Sequence, residues 1–166
     1  MKPLLVLGLG NSLMGDDAAG VAVTEMLAGD STVTDRAEIW TAGADVLRSM
    51  DRIGGRERVI LVDAVECGEE PGLVSVVDEP RFDENRAHAH WLSAAQAVEL
   101  MRRTMPGLRR TKFTWVLVHV ASVKAHEGLS ADVAAAVPVA AAVVKGLLWG
   151  ACLVERSASS RFRRME

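Results

Sequence analysis

Cysteine is scarce. Cys67 and Cys152 are the two in 166 residues, too few for a disulfide framework or a four-thiolate zinc site. Positive charge is not in surplus either, with 19 Lys and Arg against 22 Asp and Glu. Such a chain has little with which to hold a phosphate backbone, so nucleic acid is not an expected partner. Long uncharged apolar runs are missing. The most apolar stretch, Ala131 to Val154, is interrupted by Asp132, Pro138 and Lys145, and no uncharged run reaches the ~18 residues of a spanning helix. It reads as a buried terminal helix, and no membrane partner is expected. The start, Met1-Lys2-Pro3 and a short apolar run ending in glycines, lacks the longer apolar region and cleavage site of a signal peptide. The expected location is cytoplasmic.

What is present is an ordinary globular balance, 49% hydrophobic and 25% charged, which excludes disorder as the main state. The length suits one domain, taken as residues 1–156, with a polar, basic tail over 157–166 (SASSRFRRME). Leu4 to Leu9 (LLVLGL) reads as a strand buried on both faces. Asp16 or Asp17 then caps a helix running to about Leu27, with Val21, Val23, Met26 and Leu27 as its apolar side, ended by Gly29 and Asp30. Ala37 to Thr41 is a second strand. Ala44 to Ile53 is helical, with Val46, Leu47 and Met50 at helical spacing. Arg58 to Val62 is a third strand, with Asp63 at its carboxyl end. Gly72 to Val77 is a short strand suited to an edge. His90 to Thr104 is a helix with Leu92, Ala95, Val98 and Leu100 inward, and Lys112 to Val120 is a fifth strand. Ser130 opens a terminal helical region in which Pro138 forces a break or a new first turn. Strands alternating with helices imply an α/β three-layer sandwich: a twisted, mostly parallel five-stranded sheet with helices on both faces.

In such sheets ligands collect at the carboxyl ends of the strands, near the switch in strand order. The polar residues expected there are Asn11, Asp16 and Asp17 after the first strand, Asp63 after the third, His88 and His90 near the later helix, and His119 and His126 around the fifth. The loop Gly8-Leu9-Gly10-Asn11-Ser12-Leu13 invites a dinucleotide reading. It carries Leu13 where the third glycine belongs, and two carboxylates where a pyrophosphate would sit. No Gly-Lys-Ser/Thr follows, so the phosphate-cradling loop is absent as well. Capping and the helix dipole account for one aspartate of the Asp16-Asp17 pair, worth on the order of 1 kcal/mol. The second is free for another task. A carboxylate after an apolar strand is costly to bury unless a cation or hydrogen bonds compensate. Two carboxylates and an imidazole with positions left open to water suit a hard or borderline divalent ion.

LLVLGLGNSLMGDDAAGVAV resembles the N-terminal signature of the hydrogenase maturation endopeptidases, and RVILVDAV, AHAHWLSAAQAVEL and HEGLSADVAAAV follow in that family's order and spacing. The resemblance spans about Leu4 to Leu153. It implies a sheet between helices and an aspartyl-type endopeptidase activity. The substrate it implies is the large-subunit precursor of a nickel–iron hydrogenase, whose C-terminal extension is removed. It further implies that nickel arrives bound to that precursor and is docked by Asp17, Asp63 and His90, with Asp17 or Asp63 as the group that accepts a proton from water. Asn11, Asp16, His88 and Trp91 are expected on the substrate-binding side, Asp16 also capping the helix and orienting Asp17. His88 stands two residues from His90 and is the alternative ligand. Thr41-Ala42-Gly43-Ala44 meets the family's glycine-rich segment only loosely. His119 reads as a hydrogen-bonded core histidine, His126 as a solvated loop residue, Cys152 as core, and Cys67 as a thiol with no identifiable base. The four tryptophans fit core or rim packing. The competing classes are a non-catalytic checkpoint that senses metal loading of a partner, and a Rossmann-like nucleotide-binding enzyme.

Overall fold

Apolar residues fill both parities of LLVLGL and RVILV, so both faces of these strands must be covered. A computed structural model describes residues 1–78, 89–125 and 127–150, the side chains of 89–93 excepted. Five strands, β1 (Leu4–Leu9), β2 (Ala37–Gly43), β3 (Arg58–Val65), β4 (Val74–Asp78) and β5 (Lys112–His119), form one sheet in the order β2-β1-β3-β5-β4. All pairings are parallel except β4 with β5, which puts antiparallel β4 at the edge. The helices are α1 (Ala19–Ala28), α2 (Ser31–Arg36), α3 (Met50–Ile53), α4 (Ala89–Thr104) and α5 (Ala131–Leu148).

Strand alternation divides the core in two. Val6, Ile60, Val62, Val116 and Val118 pack against α1 and α5. Leu5, Leu7, Val59, Leu61, Trp115 and Leu117 pack against the α3 and α4 side. This is the three-layer arrangement the strand pattern predicts. Glycine sets how closely α1 approaches: a Cβ on Gly20 would lie 2.3 Å from the Val62 carbonyl oxygen and 2.4 Å from that of Leu9. The helix therefore lies directly on the ends of β1 and β3.

Several local expectations need correction. Asp16 and Asp17 lie in a 3-10 turn (Gly15–Ala18), and neither caps a helix; the α1 N-cap is Ala18, without a side-chain bond. The inward face of α1 is Ala19, Gly20, Val23, Thr24 and Leu27, whereas Met26 is half exposed. Asp30 does more than end α1. Its carboxylate accepts from the Thr32 N–H (2.9 Å) and starts α2, which the sequence reading missed. The predicted helix over Ala44 to Ile53 is a 3-10 turn (Val46–Ser49) running into α3, and Leu47 and Met50 are exposed. Among the described side chains of α4 the buried ones are Ala94, Ala95, Val98 and Met101, while Leu100 faces solvent and Leu92 lies outside them; the 3.6-residue period excludes Leu100 from the stripe set by Val98 and Met101. Pro138 does not break α5. Pro138 and Ala134, whose carbonyl lacks the N–H it would bond, both lie on the exposed side, where water can serve it. By length and composition α5 is apolar enough to cross a membrane. In the fold its stripe Val133, Ala136, Val137, Ala140, Ala141 and Val144 lies in the core with α1 and the sheet. The tail, Cys152 and His126 lie outside the described residues.

Candidate active site at the carboxyl rim

The strand order reverses between β1 and β3. β1 continues to β2 on one side, and β3 lies on the other. The ends of β1 and β3 thus flank the switch point, where an open α/β sheet leaves a crevice. Asp17 comes from the loop after β1. Gly10, with φ 123°, lets that loop fold back: its absent Cβ would lie 1.8 Å from the Asp17 carbonyl oxygen. The Gly10 N–H donates to the Gly43 carbonyl (3.0 Å), which brings the Ala42-Gly43 end of β2 beside the loop. Asn11 shapes the turn twice. Its Oδ1 accepts from the Leu13 N–H (3.0 Å), and its own N–H donates to Asp17 Oδ2 (2.8 Å). Asp17 is thereby buried with its carboxylate held from the backbone.

Asp16 has a different task from the one read in the sequence. It neither caps its own turn nor lies open; it is buried, and its Oδ1 accepts from the Ser130 N–H at 2.6 Å. Ser130 is the N-cap residue of α5. Adjacent aspartates therefore serve two loops, Asp17 the turn after β1 and Asp16 the segment entering α5.

Asp63 lies inside β3, which runs on to Val65, rather than just beyond its end. It is fully buried and pairs in register with Leu117 of β5. Alternation places it with Val59 and Leu61 on the α4 side of the sheet. Oδ1 accepts from the Ala64 N–H (2.9 Å), and Oδ2 is buried with no hydrogen-bond partner among the described residues. Burial first, and the charge of Asp17 second, push this carboxyl up to about 8, against the opposing pull of the Ala64 N–H. Asp17, on the loop after β1, and Asp63, near the end of β3, thus flank the switch point close enough for the charge of one to act on the other. A buried carboxyl with an idle oxygen beside a second carboxylate is an arrangement that a cation would satisfy.

Asn11, Asp16, Asp17 and Asp63 are thus brought to one rim. His90 is the second residue of α4, on the same sheet face as Asp63, but its side chain and that of Trp91 lie outside the described residues, as does His88. Among the described residues no three His, Cys, Asp or Glu side chains converge in a metal-holding group.

One cluster escaped the sequence reading. His119 is a buried histidine, as expected, and its Nε2 lies 2.8 Å from Ser75 Oγ. Its Nδ1, however, lies 3.1 Å from Cys67 Sγ, so the thiol does have a base. The residues are 52 apart in sequence, and only the β3–β5 register, which sets Val65 opposite His119, brings them together.

The sequence model of the hydrogenase maturation protease family matches residues 21–146. The hydrogenase 2 maturation protease of Escherichia coli K12 is 32% identical over 136 residues, 80% of this chain and 82% of that protein. Among solved structures, the hydrogenase maturating endopeptidase HybD from E. coli superposes with a TM-score of 0.73 at 27% identity, over 92% of this chain and 94% of that one. The [NiFe] hydrogenase maturation protease HybD from Thermococcus kodakarensis gives a TM-score of 0.73 at 25% identity, over 89% and 99%. With this fold, and with a buried acidic pair at its switch point, the chain belongs to the hydrogenase maturation protease family and is a peptidase.

Proposed function

We propose that this peptidase removes the C-terminal extension of a nickel-loaded [NiFe] hydrogenase large-subunit precursor in the cytoplasm, and that Asp17, Asp63 and His90 dock the nickel carried by that substrate. The observation that carries the reading is the Asp63 carboxyl, fully buried, with Oδ2 unserved among the described residues and the charge of Asp17 acting on it. With its proton affinity raised to about 8, Asp63 holds a proton at neutral pH in the free protein. A divalent ion presented by the precursor offers the compensating charge, and Asp63 gives up that proton as it becomes a ligand. Asp17, held by the Asn11 N–H, is set in place beforehand, so its docking geometry costs little reordering. A divalent ion polarises a nearby carbonyl and acidifies bound water; Asp17 or Asp63, each holding the ion through one oxygen, accepts the water proton through the other. The exposed Leu13 at the tip of the Asn11 turn offers the precursor an apolar contact at the same rim.

The test is incubation of nickel-loaded and nickel-free precursor with the protein, read by intact mass. Loss of the C-terminal extension is expected from the loaded precursor alone, and not with His90→Ala. Equal trimming of both precursors, or normal trimming by His90→Ala, overturns the docking role. Binding of the loaded precursor with no mass loss would make the protein a checkpoint for metal loading.

A further inference from the structure

Beside the acidic pair, the rim carries a second constellation that the proposed peptidase chemistry does not use. Cys67 lies four residues past Asp63 on the segment leaving β3, Ser75 is on edge strand β4, and His119 ends β5. The backbone around His119 is fixed on both sides. Its N–H donates to the Leu73 carbonyl (2.8 Å), its carbonyl accepts from the Gly72 N–H (2.8 Å), and the next N–H, of Val120, donates to Val65 (3.0 Å). The imidazole is buried between Cys67 Sγ (3.1 Å from Nδ1) and Ser75 Oγ (2.8 Å from Nε2). Burial holds His119 below its ordinary value, although Glu69 pulls the other way, so the ring is neutral at neutral pH. Assigning the ring proton to Nε2, donating to Ser75 Oγ, leaves the Nδ1 lone pair facing the thiol. Cys67 itself is a free cysteine and partly exposed. Nucleophile, base and a group that orients the base therefore stand in hydrogen-bond sequence.

We propose that Cys67 is a reactive thiol with His119 as its base and Ser75 as a positioning residue, and that its substrate class is low-molecular-weight disulfides, with which it forms a reversible mixed disulfide. In the step, the Cys67 sulfur attacks one sulfur of RS–SR while its proton passes to His119 Nδ1. The S–S bond of the reagent breaks, and RS⁻ leaves with the electron pair and collects the proton from the imidazolium. The products are Cys67–S–S–R and RSH, and excess thiol reverses the exchange. The modification adds a group to the segment that follows Asp63. The proposal stands whether or not the acidic pair docks nickel.

The experiment uses the full chain carrying Cys152→Ser and 2,2′-dithiodipyridine at pH 6.5. The reagent is uncharged, so Glu66, Glu69 and Glu70 on the same loop do not repel it. Thiopyridone release is followed by absorbance and the adduct by intact mass. The folded chain is expected to react about tenfold or more faster than the same chain unfolded in guanidinium, in keeping with general-base assistance. His119→Gln is expected to lose that advantage. Ser75→Ala is expected to lose part of it, and Ser75→Thr, which restores the hydroxyl, to recover it. Dithiothreitol should remove the added mass. A folded chain no faster than the unfolded one overturns the proposal, as does a folded His119→Gln chain that keeps the full rate. Should His119→Gln fail to fold, the Ser75 pair decides: Ser75→Ala at the full rate, or Ser75→Thr no faster than Ser75→Ala, also overturns it.

Discussion

The two ends of the central sheet treat buried charge in opposite ways. At the amino end the Arg56 side chain is almost wholly buried, yet its guanidinium is served throughout. Nε donates to the Arg52 carbonyl (2.7 Å), Nη1 to the Lys2 carbonyl, and Nη2 pairs with Glu38, which also takes Arg52 (2.7 Å). The two arginines, Arg56 first, hold the Glu38 carboxyl below its ordinary range. Arg58 donates to Thr114 Oγ1 (3.0 Å) and to the Leu147 carbonyl (3.1 Å). At the carboxyl end Asp63 is equally buried but keeps an oxygen without a partner among the described residues and is pushed up toward protonation. A buried charge with every partner in place ties elements together. A buried acid left short of one is held toward its neutral, protonated form.

This contrast can be broken by experiment. The largest expected effect is on activity: Asp63→Ala should cut trimming of loaded precursor by about 100-fold or more while circular dichroism stays native. A variant with more than a tenth of normal activity would return Asp63 to a structural role. The other end is tested through stability. Arg56→Ala removes one of the two partners of Glu38 and the donor to two backbone carbonyls, and chemical denaturation should show a loss of about 3 kcal/mol with trimming by the remaining folded protein unchanged. A cost under about 1 kcal/mol would show that the buried pair behaves as a surface one.

The third test concerns pH. The Asp63 carboxyl rises from 3.8 to about 8 on folding. The folded chain therefore keeps a proton that the unfolded chain has lost. That contribution to stability is whole below about pH 4 and is lost as pH rises through 8, at no more than about 1.4 kcal/mol per pH unit. Wild-type unfolding free energy should fall from pH 5 to 8 relative to Asp63→Asn, which has no proton to lose; parallel curves would disprove the shift. The smallest effect is expected far from both ends. Glu99→Gln removes the exposed pair with Arg103 on α4 (2.7 Å) and should change stability by less than about 0.5 kcal/mol, within the error of the same denaturation measurement.

Much of this was legible in the chain, and the misses share a cause. Strand positions followed from unbroken aliphatic runs, because a strand buried on both faces tolerates little else, but β3 runs on through Asp63 to Val65, past where its aliphatic run ends. Asp63 stood out as the first acid after such a run, and Asp17 as the spare member of a pair. Asp16 was misread because its partner, the Ser130 N–H, lies 114 residues away. Leu100 was misplaced because an apolar residue on a helix does not declare which stripe wins. Thiol and imidazole were each noticed alone, but Cys67 and His119 meet only through strand register.

By itself, then, the sequence determined the alternation of elements, the two-faced core and the family, since these depend on local periodicity and on short ordered segments. The tertiary structure alone decided which charges are paired and which are left unserved. Desolvation and hydrogen bonding are properties of a surrounding built from distant parts of the chain: β1 and β3 meeting at the switch point, β5 lying against β3, and the entry to α5 folding back onto Asp16.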